Sequence, residues 1–185
     1  MINDILASHE ERMKKSLEAL KHEFASLRAG RATPSLLDKV MVDYYGSPTP
    51  VNQVAKVSVP EPRMIVIQPW EKTILHDIEK AIMKSDLGLS PNSDGNAIRL
   101  AIPQLTQERR QELVKTVNKK AEEAKVALRN VRRDGNDAVK KLEKAKEITE
   151  DESKKGQESM QKLVDKYVKL VDSSREAKEK EVMEV

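Results

Sequence analysis

Apolar residues recur with a helical period at the start of the chain. Leu6, Met13, Leu20 and Leu27 are spaced seven apart, and Leu17 and Phe24 follow Met13 and Leu20 by four. This a/d pattern predicts a helix that packs side by side with others, stopping at Ala29-Gly30. A second stripe runs through Leu113, Val117, Ala124, Leu128, Val131, Ala138 and Leu142. It predicts a helix from about Thr106 to about Ile148, roughly 60 Å long. Thr149 with Glu152 reads as a capping box that opens a third helix. Its seam is expected along Met160, Leu163, Tyr167, Leu170, Ser174 and Ala177.

The middle of the chain is patterned differently. Val40–Val42, Val54–Val59 and Met64–Ile67 are β-branched and partly alternating, which predicts strands. Asp94-Gly95 is a hairpin signal ahead of Ala97–Ile102. Ile74, Leu75, Ile78, Ile82 and Met83 predict one short amphipathic helix. All eight prolines lie between Pro34 and Pro103. Proline lacks the amide donor and clashes with the preceding turn, so long helices are confined to the two ends.

None of the three amphipathic helices can bury its seam alone, but together they can form a bundle. The expected fold class is therefore α+β: an elongated three-helix bundle from residues 1–30 and 105–185, with a small β/α/β domain, residues 31–104, inserted between its first and second helices. The chain would cross between domains twice, near Gly30-Arg31 and near Pro103-Gln104. Two crossings without a large interface allow a hinge there.

Composition narrows the chemistry. Charged residues make up 35% of the chain, yet 34 Lys and Arg nearly cancel 31 Asp and Glu, so it is not a simple polycation. The absence of cysteine excludes a thiol nucleophile, a disulfide and cysteine-ligated metal. His9, His22 and His76 have no metal-binding spacing, and the six glycines form no phosphate-cradling loop. Acidic neighbours such as Glu122-Glu123 point about 100° apart on a helix, so they do not converge on one atom. Trp70, after Pro69, is expected to pack in a core or at a domain edge. No catalytic residue, cofactor or metal site is expected. There is no signal-peptide pattern and no apolar run long enough to span a membrane.

The basic excess is local. Residues 105–134 hold nine basic and five acidic side chains, while the rest of the chain is close to neutral. At about 100° per residue, Lys125, Arg129, Arg132 and Arg133 fall within an arc of about 100°. The arc lies mostly to one side of the apolar stripe. A solvated helix face is one reading of it. The other is a phosphate contact, for which arginine is suited by its bidentate guanidinium. Without aromatics on this helix, folded RNA fits better than single strands. Gly135 follows these arginines inside the long helix, where glycine costs about 1 kcal/mol against alanine; its spacing suggests no function.

Five stretches, in order along nearly the whole chain, resemble the ribosome recycling factor family. They are Arg28-Ala29-Gly30-Arg31-Ala32-Thr33-Pro34-Ser35-Leu36-Leu37-Asp38, Tyr44-Tyr45-Gly46-Ser47-Pro48-Thr49-Pro50, Ser85-Asp86-Leu87-Gly88-Leu89, Leu105-Thr106-Gln107-Glu108-Arg109-Arg110 and Arg129-Asn130-Val131-Arg132-Arg133-Asp134. The resemblance implies an L-shaped molecule with the outline of a tRNA. It implies a cytoplasmic translation factor, monomeric and without an active site or cofactor, that binds the 50S subunit through 23S rRNA. It further implies that elongation factor G, carrying the GTP, then acts on the factor to split the post-termination ribosome. The family's RNA-contacting positions match Arg28, Arg31, Arg110, Arg129, Arg132 and Arg133. By its angle, Arg110 lies nearer the apolar side and could instead brace the bundle end. A coiled-coil scaffold and a small enzyme housed in the inserted domain are the rival readings. The first leaves the proline-rich insert unexplained, and the second lacks a constellation of reactive groups.

Overall fold

The structure is a computed structural model of the chain, and it describes residues 1–27 and 30–184. The chain divides into two compact units, residues 1–29 with 107–185 and residues 30–106.

The first unit consists of α1 (Ile2–Ser26), α4 (Gln107–Lys144) and α5 (Glu150–Met183), which pack on one another pairwise. Met13, Leu17, Leu20 and Phe24 of α1 meet Val117, Ala121, Ala124, Leu128 and Val131 of α4, and Met160, Val164, Tyr167 and Val171 of α5. Each Val, Leu, Phe or Met among them contributes about 1.5–3 kcal/mol on leaving water. Most of the α1 seam and of the α4 stripe are as the sequence pattern predicts, with Leu6, Leu27, Ala138 and Leu142 only partly buried. The α5 seam differs. Leu163 is only partly buried, Leu170 and Ala177 are exposed, and Val164, Val171, Lys178 and Val182 are buried in their place. The buried positions 160, 171 and 182, and likewise 156, 167 and 178, recur every eleven residues. On a straight helix a heptad series drifts about 20° every seven residues and an eleven-residue series about 20° the other way every eleven, so the eleven-residue series keeps to one face over a longer stretch.

Polar groups fix the ends of these helices. Thr149 Oγ1 accepts from Glu152 N–H at 3.1 Å, the capping bond expected from sequence. The second helix stops at Lys144, four residues before the expected Ile148. Lys146 adopts φ 60° there, while its N–H donates to the Glu143 carbonyl and that of Glu147 to Leu142. That is a Schellman turn with lysine in the place usually held by glycine. Lys178, almost fully buried, donates from Nζ to the Leu27 carbonyl at 3.0 Å and pairs with Glu181. A cation thus satisfies the end of α1, whose own last turn has none. Tyr167 donates its hydroxyl to Glu10 Oε1 at 3.0 Å, tying α5 to α1. Burial, followed by that bond, pushes its ionisation up to about 12.

Gly135 acquires a packing reason. A Cβ there would overlap Met160 Cε, and would stand 2.9 Å from its Sδ and 3.3 Å from His9 Cδ2. The three helices approach too closely at this point for any side chain on α4. Gly156 stands nearby in the same sense, facing Ile2 and Val139 at 3.4 Å.

The second unit begins with a hairpin of β1 (Met41–Tyr44) and β2 (Ser47–Pro50). The pattern rules did not suggest β2, because it carries Pro48 and Pro50. Proline is tolerated here because β2 is an edge strand paired only with β1. A short helical turn, α2 (Val51–Val54), leads into an antiparallel sheet of β3 (Ala55–Glu61), β4 (Met64–Pro69), β5 (Pro91–Ser93) and β6 (Ile98–Ala101). Its strand order is β3-β4-β6-β5. The remaining helix, α3 (Leu75–Lys84), buries Ile78 and Ile82, while Met83 of the expected apolar set is exposed. The core is aliphatic, built on Leu37, Val42, Val51, Ile65, Ile67, Ile78, Ile82, Ile98 and Leu100. Trp70 is exposed and takes no part in it, contrary to the expected packing role. The Asp94-Gly95 signal does mark a hairpin, between β5 and β6. Asp94 accepts from the N–H groups of Asn96 and Ala97 and from Arg99 Nη1 at 2.7 Å. These bonds, the two backbone donors foremost, lower its carboxyl to about 2.

Two outcomes follow. Gly135→Ala gains about 1 kcal/mol of helix propensity but overpacks a closed interior at a cost of about 1–3 kcal/mol. It should lower the urea midpoint, and in a Met160→Ala background the same change should raise it. Asp94 contributes stability above the ordinary carboxylate pKa, and that contribution is lost as pH falls toward 2. Replacing it by asparagine should flatten the fall in urea midpoint between pH 4 and pH 2.

Candidate nucleic-acid interface

The orientation of the basic residues on α4 follows from its buried stripe. Arg110, Leu113, Val117, Ala121, Ala124, Leu128, Val131, Gly135 and Val139 face inward. Going round the helix at about 100° per residue, Lys125 and Arg132 border this stripe on one side, and Arg129 and Arg133 stand farther out.

The contacts agree with that placement. Lys125 is only 15% exposed and pairs with Asp172 of α5 at 2.6 Å and with Glu122 at 3.6 Å. The bond from Lys125 is the main reason the Asp172 carboxyl is held below its ordinary range. The expected outward arc therefore loses its first member to an interhelical ion pair. No acid precedes Lys125 at helical spacing except Glu122; the partner comes from another helix. Arg132 is partly buried and donates from Nη1 to Gln161 Oε1 at 2.9 Å, and Gln161 in turn donates to Asp165. Its guanidinium is thus braced against α5.

Arg129 and Arg133 are exposed and have no ion pair or hydrogen bond among the described residues. One helical turn apart, they share one face. The adjacent acid, Asp134, is neutralised by Arg12 of α1, whose Nη2 donates to it at 2.9 Å. Arg12 was not a sequence candidate, since nothing in the local pattern pairs positions 12 and 134. Lys115, Lys140 and Lys144 extend the exposed cationic face along α4, also without ion pairs among the described residues.

The other sequence candidates lie elsewhere. Arg110 is 7% exposed, on the buried stripe, and its Nε is unbonded. It came among the candidates through the family resemblance, and the helical period sets it in line with Leu128, about five turns away, well within the inward face. Arg31, Pro103 and Gln104 are exposed, in the unit of residues 30–106. Gly30 has φ +75°, and a Cβ on it would stand 3.2 Å from Leu105 Cγ, so the two crossing segments run side by side at this point. Arg28 lies outside the described residues.

Nothing on this face suggests bond-making chemistry. Among the described residues no group of His, Cys, Asp or Glu could hold a metal ion. A shallow hollow lined by Glu143, Glu150, Asp151 and Glu158 is acidic and open to solvent. No helix among the described residues is long and apolar enough to cross a membrane. What α4 presents is fixed positive charge on a stiff support, suited to phosphate.

Comparison with known proteins agrees on one family. Residues 20–183 match the ribosome recycling factor family model. The chain is 62% identical over 185 residues to the ribosome-recycling factor of Syntrophomonas wolfei and 60% identical to that of Bacillus velezensis, with both chains covered in full. It is similar to a solution structure of a ribosome recycling factor, with a TM-score of 0.79 and 45% identity, covering all of this chain and 98% of the other. It is also similar, with a TM-score of 0.65 and 44% identity over the whole of both chains, to a Thermus thermophilus ribosome recycling factor in models that include Escherichia coli elongation factor G on the post-termination complex. The chain belongs to the ribosome recycling factor family, whose members are non-enzymatic translation factors.

Proposed function

We propose that this member of the ribosome recycling factor family binds the 50S subunit through 23S rRNA phosphates. Arg129 and Arg133 would be the primary contacts and Arg132 a braced third. The observation that carries the reading is the pair of exposed, unpartnered arginines on α4, beside an acid already neutralised by Arg12. Cations held in no ion pair remain available to phosphate, and each contact releases condensed counterions. Arg28 and Arg31, near the crossings between the units, are assigned to the same RNA contact. Arg110, buried on the inward stripe, is the least accessible of the set and suits a bracing role better.

Recycling would then proceed in the cytoplasm on the post-termination ribosome, with the chain acting as a monomer. A relative is described together with elongation factor G on that complex, which supports the same partner here. Elongation factor G would supply GTP hydrolysis, and this chain would hold no nucleotide. Residues 30–31 and 103–105, with Gly30, Arg31, Pro103 and Gln104, would form a hinge between bundle and insert. A push on the residues 30–106 unit would then be transmitted to the bundle, whose helix α4 alone is about 57 Å long. The outcome would be separation of the subunits, with release of mRNA and tRNA.

Arg129→Ala and Arg133→Ala should each weaken 50S binding about tenfold, as expected for losing a charged hydrogen bond. Each should also reduce the slope of log affinity against log salt by about 1. Circular dichroism should be unchanged, since neither side chain is buried. Co-sedimentation with 50S subunits at several salt concentrations measures both. A splitting assay with purified ribosomes, elongation factor G and GTP, omitting each in turn, tests the reaction. Binding and splitting that ignore both arginines would overturn the reading.

A further inference from the structure

The chain has only five aromatic residues: three Tyr, one Trp and one Phe. Three of them, Tyr44, Tyr45 and Trp70, belong to the unit of residues 30–106, yet none is among its buried core residues. Tyr45 is 82% exposed and Trp70 69%. Large aromatics held in water are costly where they serve only the fold, and they are the residues that dominate protein interfaces.

Turn chemistry does not explain Tyr45. It occupies φ 51° and Gly46 φ 83° at the two-residue turn between β1 and β2. Such a turn favours Asn, Asp or Gly at its first position, and a bulky residue there is an outlier. Its side chain is nevertheless fixed. Tyr45 donates its hydroxyl to Glu71 Oε2 at 3.0 Å, and Tyr44 donates to Oε1 of the same carboxylate at 3.0 Å. The two rings meet edge to face at 4.6 Å. The bonds to Glu71 are the foremost reason both tyrosine hydroxyls ionise above the ordinary phenol range.

Glu71 itself is half-buried and has no Lys or Arg in ion-pair distance among the described residues. Two tyrosines use two of its roughly four acceptor positions. Exposed Asp43, two residues before Tyr45 on β1, adds a second carboxylate without a cation among the described residues. The result is a positioned, uncompensated negative charge beside an exposed aromatic ring, with Trp70 next along the chain.

We propose that Glu71 and Tyr45 form a docking site for a cationic side chain, arginine or lysine, on a basic segment of a protein partner. The carboxylate would take a charge-assisted hydrogen bond and the Tyr45 ring a cation–π contact. A carboxylate at the centre repels phosphate, so the site favours protein over RNA, the opposite of the α4 face. The inference deepens the proposed function and rests on it: the factor would touch RNA with its bundle and a basic protein with its insert.

The test uses the full chain with the photo-cross-linker benzoylphenylalanine in place of Trp70. It is assembled with purified post-termination ribosomes, with and without elongation factor G carrying a non-hydrolysable GTP analogue. The cross-link should go to a protein, within a few residues of an arginine or lysine. Adding Glu71→Gln, which keeps an acceptor oxygen for the tyrosines, should cut its yield about tenfold. Binding to 50S subunits, measured on the same proteins, should not change. A cross-link to RNA, no cross-link, or a yield indifferent to Glu71→Gln would overturn the docking site while 50S binding stands. Loss of 50S binding by the unsubstituted chain would instead overturn the RNA reading, and the docking site with it.

Discussion

Three helices share one apolar interior, and no helix can bury its part of it alone. The stripe of α1, which ends at Ser26, has to meet those of α4 and α5, which begin only at Gln107 and Glu150. That requirement brings the two ends of the chain together and leaves the proline-bearing middle as a separate unit. The closeness of the packing is extreme at one level of the bundle, where Gly135 faces Met160 and His9. The glycine weakens α4 as an isolated helix, and the packing it permits offsets that loss.

The same buried stripe determines what the outer surface can do. Once α4 is rotated to bury Leu128 and Val131, Arg129 and Arg133 have to face water. Lys125 and Arg132, at the border, are claimed by α5 through Asp172 and Gln161. Asp134, on the other border, is claimed by Arg12 of α1. Interhelical pairing thus sorts an undifferentiated run of charges into spent and available ones. The second unit sorts its charges in another way, through tyrosines that hold Glu71 without neutralising it.

Much of the fold was legible in the residues. The α1 seam, the α4 stripe, the Thr149 cap and the Asp94-Gly95 hairpin all depend on contacts within a few positions, so local spacing reports them. The α5 seam was misplaced because Met160 and Tyr167 belong to both the heptad and the eleven-residue series, and only packing chooses between them. Strand β2 was hidden by its prolines, and Trp70 by the expectation that a lone tryptophan packs inside. At the candidate site, Arg129 and Arg133 could be found by counting. The removal of Lys125 and the neutralisation of Asp134 depend on pairs 47 and 122 positions apart in the chain, which no local window contains.

The sequence by itself determined the helical ends, the interrupted middle, the family and the helix on which the basic charge is concentrated. Periodicity, proline and charge counts act through neighbouring residues, and their consequences are local. Tertiary structure alone decided which cations remain free, why α4 tolerates Gly135, and that Glu71 stands between two tyrosines without a counter-charge. Each of these depends on a distance between segments remote in the chain, and it is the burial of a shared interior that sets those distances.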